Sequence, residues 1–148
     1  MTAVKKEIWA TLAGISAFLG GLLHVIALIG GADWIYFFHA PPSVVESARL
    51  GTWLASVSTL FITALMWLCS LYAFSAAGYL RRLPLLRTGL LVVAFICIVR
   101  GLIFFPLILI NSAWLKRLDT FEIVASVIWL AIGIFFALGL RAVWKKSC

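Results

Sequence analysis

Two side chains in this sequence stand where charge and hydrogen bonding are expensive. Arg100 interrupts the apolar run FICIVRGLIFFP at residues 95–106, and His24 lies inside GLLHVIALIG at residues 21–30. A guanidinium can grip a carboxylate or phosphate through parallel N–H donors, and an imidazole can donate, accept or carry a proton near neutrality. The segment GGADWIYFFHAPPSVVESARL, residues 30–50, adds Asp33, Trp34, Tyr36, His39, Glu46 and Arg49. Its aromatic rings suit an apolar body, and its charges suit a polar head. Together these eight residues fit an amphiphile, an anionic small ligand or a lipid headgroup. Arg100 would anchor it, His24 would be a tunable hydrogen-bond partner, and residues 33–49 would close over it.

The same residue types have plainer uses. A histidine in a span commonly hydrogen-bonds between helices, and interfacial aromatics anchor a chain at the bilayer surface. Two further classes stay open: an intramembrane enzyme acting on a lipid or isoprenoid with His24 as acid or base, and an accessory subunit or homo-oligomer in which Arg100 pairs across an interface. The balance leans away from an enzyme, and no catalytic residue stands out. No cofactor or metal is expected. The histidines lack ligand spacing, and Cys69, Cys97 and Cys148 form no CxxC pair. A nucleic-acid role would need a basic soluble face, which four spans leave no room for.

The elements that must position these residues follow from composition. Hydrophobic residues make up 65% of the chain and charged ones 11%, against about a quarter charged in soluble domains. Mean hydropathy is +1.17, which points to an integral membrane protein. Uncharged runs of 25, 31 and 18 residues separate Glu7 from Asp33, Arg49 from Arg81, and Glu122 from Arg141. A fourth run of 28, between Arg87 and Lys116, is broken by Arg100. A crossing takes about 20 residues, so each run can span once.

The expectation is an all-α, single-domain protein over residues 1–148, with four transmembrane helices at about 8–30, 44–79, 88–111 and 120–144. Short connections favour an up-down antiparallel bundle. Lys5, Lys6, Arg81, Arg82, Arg87, Arg141, Lys145 and Lys146 then share one side, which the positive-inside rule makes cytoplasmic for both termini. A bacterial inner membrane is the expected location. The first helix follows two lysines but is too long for a secretory signal, so it is expected to be retained.

Local signals refine these elements. Gly14, Ala17, Gly20 and Gly21 form a small-residue stripe on which another helix can pack. Ser43 to Glu46 reads S-V-V-E, the pattern of a capping box, and predicts the start of the second helix. That helix would exceed what the bilayer needs, so its first two turns are expected to stand in the interface or to bend at Gly51. Pro106 predicts a freed carbonyl at Leu102 near Arg100, and Asp119 or Thr120 predicts the cap of the last helix, with Glu122 in its first turn.

Overall fold

A computed structural model describes residues 2–103 and 120–145, with side chains over 8–103 and 120–144. The expectations at Pro106 and Asp119, and the part of the third helix beyond residue 103, lie outside the described residues. Within them all regular structure is helical: α1 (Thr2–Gly30), α2 (Ala32–Phe37), α3 (Pro42–Arg49), α4 (Trp53–Ala77), α5 (Leu86–Leu102) and α6 (Thr120–Lys145). Three segments are long and apolar enough to cross a membrane: Ile8–Gly30 with 23 residues, and Trp53–Ala77 and Thr120–Trp144 with 25 each. These rise about 35–38 Å, against a hydrocarbon core of about 30 Å. The described part of α5 has 17 residues and rises about 26 Å.

The chain divides into two compact units, residues 15–70 and residues 1–14 with 71–148. In the first, α1 lies close against α4. A Cβ at Gly20 would strike the Met66 methyl, and one at Gly21 would lie 2.6 Å from Cδ1 of Trp67. The Trp67 indole stacks on Phe18 and donates to the Phe18 carbonyl at 3.3 Å. The stripe therefore packs as small residues in spans do, admitting bulky partners rather than other small ones.

Residues 44–79 do not form the single helix expected. The chain breaks at Leu50–Thr52, where Gly51 takes φ +66, a backbone conformation that suits glycine. The capping box is not used either. Pro41 precedes α3, Pro42 occupies its first turn, and no side chain caps it. A proline there forgoes an N–H that would have no partner anyway, and its fixed φ already suits the helix, so Ser43 is left inside the first turn.

The expected loop before Pro41 instead contains α2, which packs on α3. Ile35, Val45 and Ala55 form a small core, flanked by Ala40, Val44 and Ala48. Ser47 pins the break behind it. Its Oγ accepts the Ala55 N–H at 2.9 Å and shares a 2.7 Å hydroxyl contact with Thr52, whose own N–H donates to the Ser47 carbonyl at 2.9 Å. A serine eight residues upstream thus caps α4.

The second unit is built on α5 and α6, which pack along their length. A Cβ at Gly101 would sit 2.7 Å from the Leu130 nitrogen, and one at Gly133 would sit 2.9 Å from the Ile98 nitrogen. The guanidinium of Arg87 lies 5.7 Å from the centre of the Trp144 ring. Each of these three pairs of residue numbers, 101 with 130, 98 with 133 and 87 with 144, adds to 231. One number rises as the other falls, so the pair is antiparallel and holds one register from end to end.

The buried positions in this unit are mostly small, such as Ala10, Ala13, Ala73, Ala77 and Ala94, while Phe95, Ile96, Val124 and Val127 face outward. Large apolar side chains outside and small ones inside are what helix contact in lipid favours. At the end of α4, Gly78 at φ +96 receives the chain, with the Gly78 and Tyr79 amides donating back to Ser75 and Phe74 carbonyls. Ser75 Oγ then donates to the Arg81 carbonyl at 2.9 Å and accepts the Leu83 N–H at 3.1 Å. The basic loop is thereby tied to α4.

Candidate functional site

Arg100 lies in the last turn of the described part of α5, and Glu122 in the first turn of α6. Their closest approach is 3.6 Å, from Arg100 Nη2 to Glu122 Oε2, an ion pair too long for a hydrogen bond. In the register of the two helices Arg100 stands opposite residue 131. Glu122 is nine residues nearer the start of α6, about 14 Å along it. The arginine stem therefore reaches along the helix pair rather than straight across. This is how a long basic side chain leaves the middle of an apolar span.

The surroundings of the carboxylate are less complete. Glu122 Oε2 and, one turn on, Ser126 Oγ are both buried and find no hydrogen-bond partner among the described residues. Other hydroxyls in the chain solve this locally. Thr63 donates to the Thr59 carbonyl at 2.9 Å, and Ser58 to the Leu54 carbonyl at 2.6 Å. Ser126 does not do so. The side chains of Arg100 and Glu122 are 39% and 25% exposed, so the cluster is reachable from outside the helix pair. It offers a cation, a carboxylate and a hydroxyl within one span, with net charge near zero when Glu122 is ionised.

The other residues singled out in the sequence belong to the unit of residues 15–70. His24 places Nδ1 2.8 Å from the Gly20 carbonyl. A carbonyl only accepts, so Nδ1 carries the proton in this contact and Nε2 is the acceptor of the neutral ring. Asp33, Trp34, Tyr36, His39, Glu46 and Arg49 are all exposed on α2, α3 and their connection. Glu46 and Arg49, three residues apart, form no ion pair with each other. Among the described residues no three histidine, cysteine or acidic side chains gather as metal ligands would.

Glu122 and Ser126 were not among the residues the sequence singled out. Glu122 reads most simply as a favourable charge at the positive end of a helix dipole. No sequence pattern singles it out, because the pairing depends on the packing of α5 on α6.

No known family, curated protein or solved structure matches the chain.

Proposed function

We propose that this is a small multi-pass membrane protein that binds an amphiphile through the Arg100, Glu122 and Ser126 cluster. The observation that carries the reading is that the buried Glu122 Oε2 and Ser126 Oγ find no hydrogen-bond partner among the described residues, beside the guanidinium that pairs with Glu122. A polar atom in hydrocarbon without a partner costs several kcal/mol in principle, so a group that supplies hydrogen bonds there is held tightly. An ion pair already neutral favours a head with both a donor and an acceptor, such as a hydroxyl-bearing or zwitterionic group, over a bare anion. Arg100 is then one of three contacts rather than the sole anchor. His24 and the exposed set over residues 33–49 serve as an outer-surface group that meets the headgroup layer.

The architecture we propose with it has four crossings in an up-down bundle, the third made by α5 and the residues that follow. Both termini and the loop at 78–85 lie on the cytoplasmic side of a bacterial inner membrane. The distribution of lysine and arginine supports this orientation. Cysteine labelling from either side of the membrane checks it: introduced cysteines at Arg82 and Ser43 should react from opposite faces, and reaction from the same face would refute it.

The binding reading is tested by purifying the full chain in a mild detergent and identifying what co-purifies by mass spectrometry. The wild type should retain an amphiphile that Arg100→Gln, Glu122→Gln and Ser126→Ala each reduce about tenfold or more, with thermal unfolding as the control for folding. Equal retention by all four proteins would sink the assignment. A second reading, as a subunit of a larger membrane complex, is favoured by how little of each span is covered: 28%, 22% and 22% of the three apolar windows is buried. Crosslinking from Val127 in membranes should then trap a partner chain.

A further inference from the structure

From Ile98, two residues before Arg100, towards the end of α6, the helix pair carries a groove of about 480 Å³. Ile98 of α5 and Ile134, Ala137 and Leu138 of α6 line it, and Arg141 and Trp144 close one end. From Ile134 to Trp144 is ten residues, about 15 Å along the helix, which is the depth of one leaflet of a 30 Å hydrocarbon core. The apolar walls suit an acyl chain, and the closed end is where a headgroup would stand.

That end is basic. The Arg87 guanidinium lies over the Trp144 ring, 5.7 Å from its centre, within cation–π range. A second cavity of about 330 Å³ lies beside it, lined by Arg82, Arg87, Thr88 and Val143 among others. None of the residues lining either cavity is acidic. Arg82, Arg87 and Arg141 are all exposed. The loop that carries Arg82 is held in place by the Ser75 hydrogen bonds to Arg81 and Leu83, and by the Tyr72 hydroxyl donating to the Pro84 carbonyl at 3.2 Å. A basic rim with no acidic side chain among the described residues that line it, at leaflet depth beside an apolar groove, is complementary to one kind of molecule in particular: a phospholipid whose headgroup keeps a net negative charge.

We infer that the groove between α5 and α6 is a binding site for an anionic phospholipid, one acyl chain along Ile98, Ile134, Ala137 and Leu138, with its phosphate between Arg87 and Arg141. Trp144 orients Arg87 and marks the level of the ester region. The site is independent of the Arg100 cluster, with which it shares no residue.

The test uses the full chain in neutral detergent, titrated with phosphatidylglycerol or phosphatidylcholine of identical acyl chains and read by native mass spectrometry. The wild type should bind phosphatidylglycerol at least tenfold more tightly. The pair Arg87→Gln and Arg141→Gln should bring the two lipids level, while Arg81→Gln, at an exposed arginine that lines neither cavity, should leave the preference unchanged. Ala137→Trp, which fills the groove and keeps every arginine, should weaken both lipids about tenfold and covers the case in which the glutamine pair does not fold. Equal binding of the two lipids by the wild type, a preference that survives the glutamine pair, or lipid binding that ignores Ala137→Trp would each overturn the inference. Displacement of lipid by millimolar inorganic phosphate would do the same, because it would reduce the site to a free-anion pocket.

Discussion

Ser47 and Ser126 are both serines in helical segments, the first buried and the second half-buried with its Oγ covered, yet their surroundings differ in kind. Ser47, 5% exposed, is fully employed: it caps α4 through Ala55 and is locked to Thr52. Ser126 has no hydrogen-bond partner among the described residues and lies one turn from a carboxylate oxygen in the same condition. The first arrangement holds two helices at a fixed break. The second leaves hydrogen-bonding capacity unspent in an apolar span, which a folding protein has no reason to keep for stability alone.

Removing a partner from each region should break this contrast or sharpen it. The largest effect is expected for Glu122→Leu, which leaves Arg100 without the carboxylate 3.6 Å away. An arginine at the centre of a span costs about 2.5–3.5 kcal/mol, and the partial exposure of this one moves the expectation for loss of the carboxylate to about 2 kcal/mol. Adding Arg100→Leu to that variant should recover most of the loss in reversible unfolding from mixed micelles. If the double variant is less stable than the single, the two charges do not act as a pair.

Next is Ser47→Ala, which strands the Ala55 N–H and should cost about 1–2 kcal/mol, seen as a lower unfolding midpoint together with faster amide exchange at the start of α4. The smallest effect is expected for Ser126→Ala. Replacing an unpartnered hydroxyl by a methyl should change stability by less than about 0.5 kcal/mol, or improve it. A loss as large as that of Ser47→Ala would show that Ser126 is satisfied in solution and would remove the distinction between the two serines.

The apolar spans were legible because one rule, the length of an uncharged run, decides them. Where several weak preferences compete, the sequence misleads. Ser43 to Glu46 carries the letters of a capping box, but Pro41 and Pro42 already set the backbone of that turn, so the serine and glutamate are not needed. The cap on α4 was hidden for a related reason. Capping rules look for a side chain at the helix boundary, and Ser47 reaches α4 from eight positions before Ala55, across a break that only the fold creates. Arg100 was visible as a charge requiring an answer. Its partner was not, because Glu122 has an adequate local explanation at the helix start, and the fact that matters is the antiparallel packing of α5 on α6.

The pairing of Arg100 with Glu122 also bears on how the chain enters a membrane in the first place. Ten residues of α5 are leucine, isoleucine, valine or phenylalanine. On insertion scales they favour entry by about 3–6 kcal/mol, and one deep arginine takes back about 2.5–3.5. A ribosome delivers α5 before Glu122 exists, so Arg100 at first offsets about half or more of what these ten residues gain on entering lipid. α6 then brings the opposite charge. A chain stopped before Thr120 should therefore insert α5 less completely by glycosylation mapping. Either restoring α6 or changing Arg100 to leucine should make the outcome uniform, so that biogenesis here is the work of a helical hairpin rather than of helices added one by one.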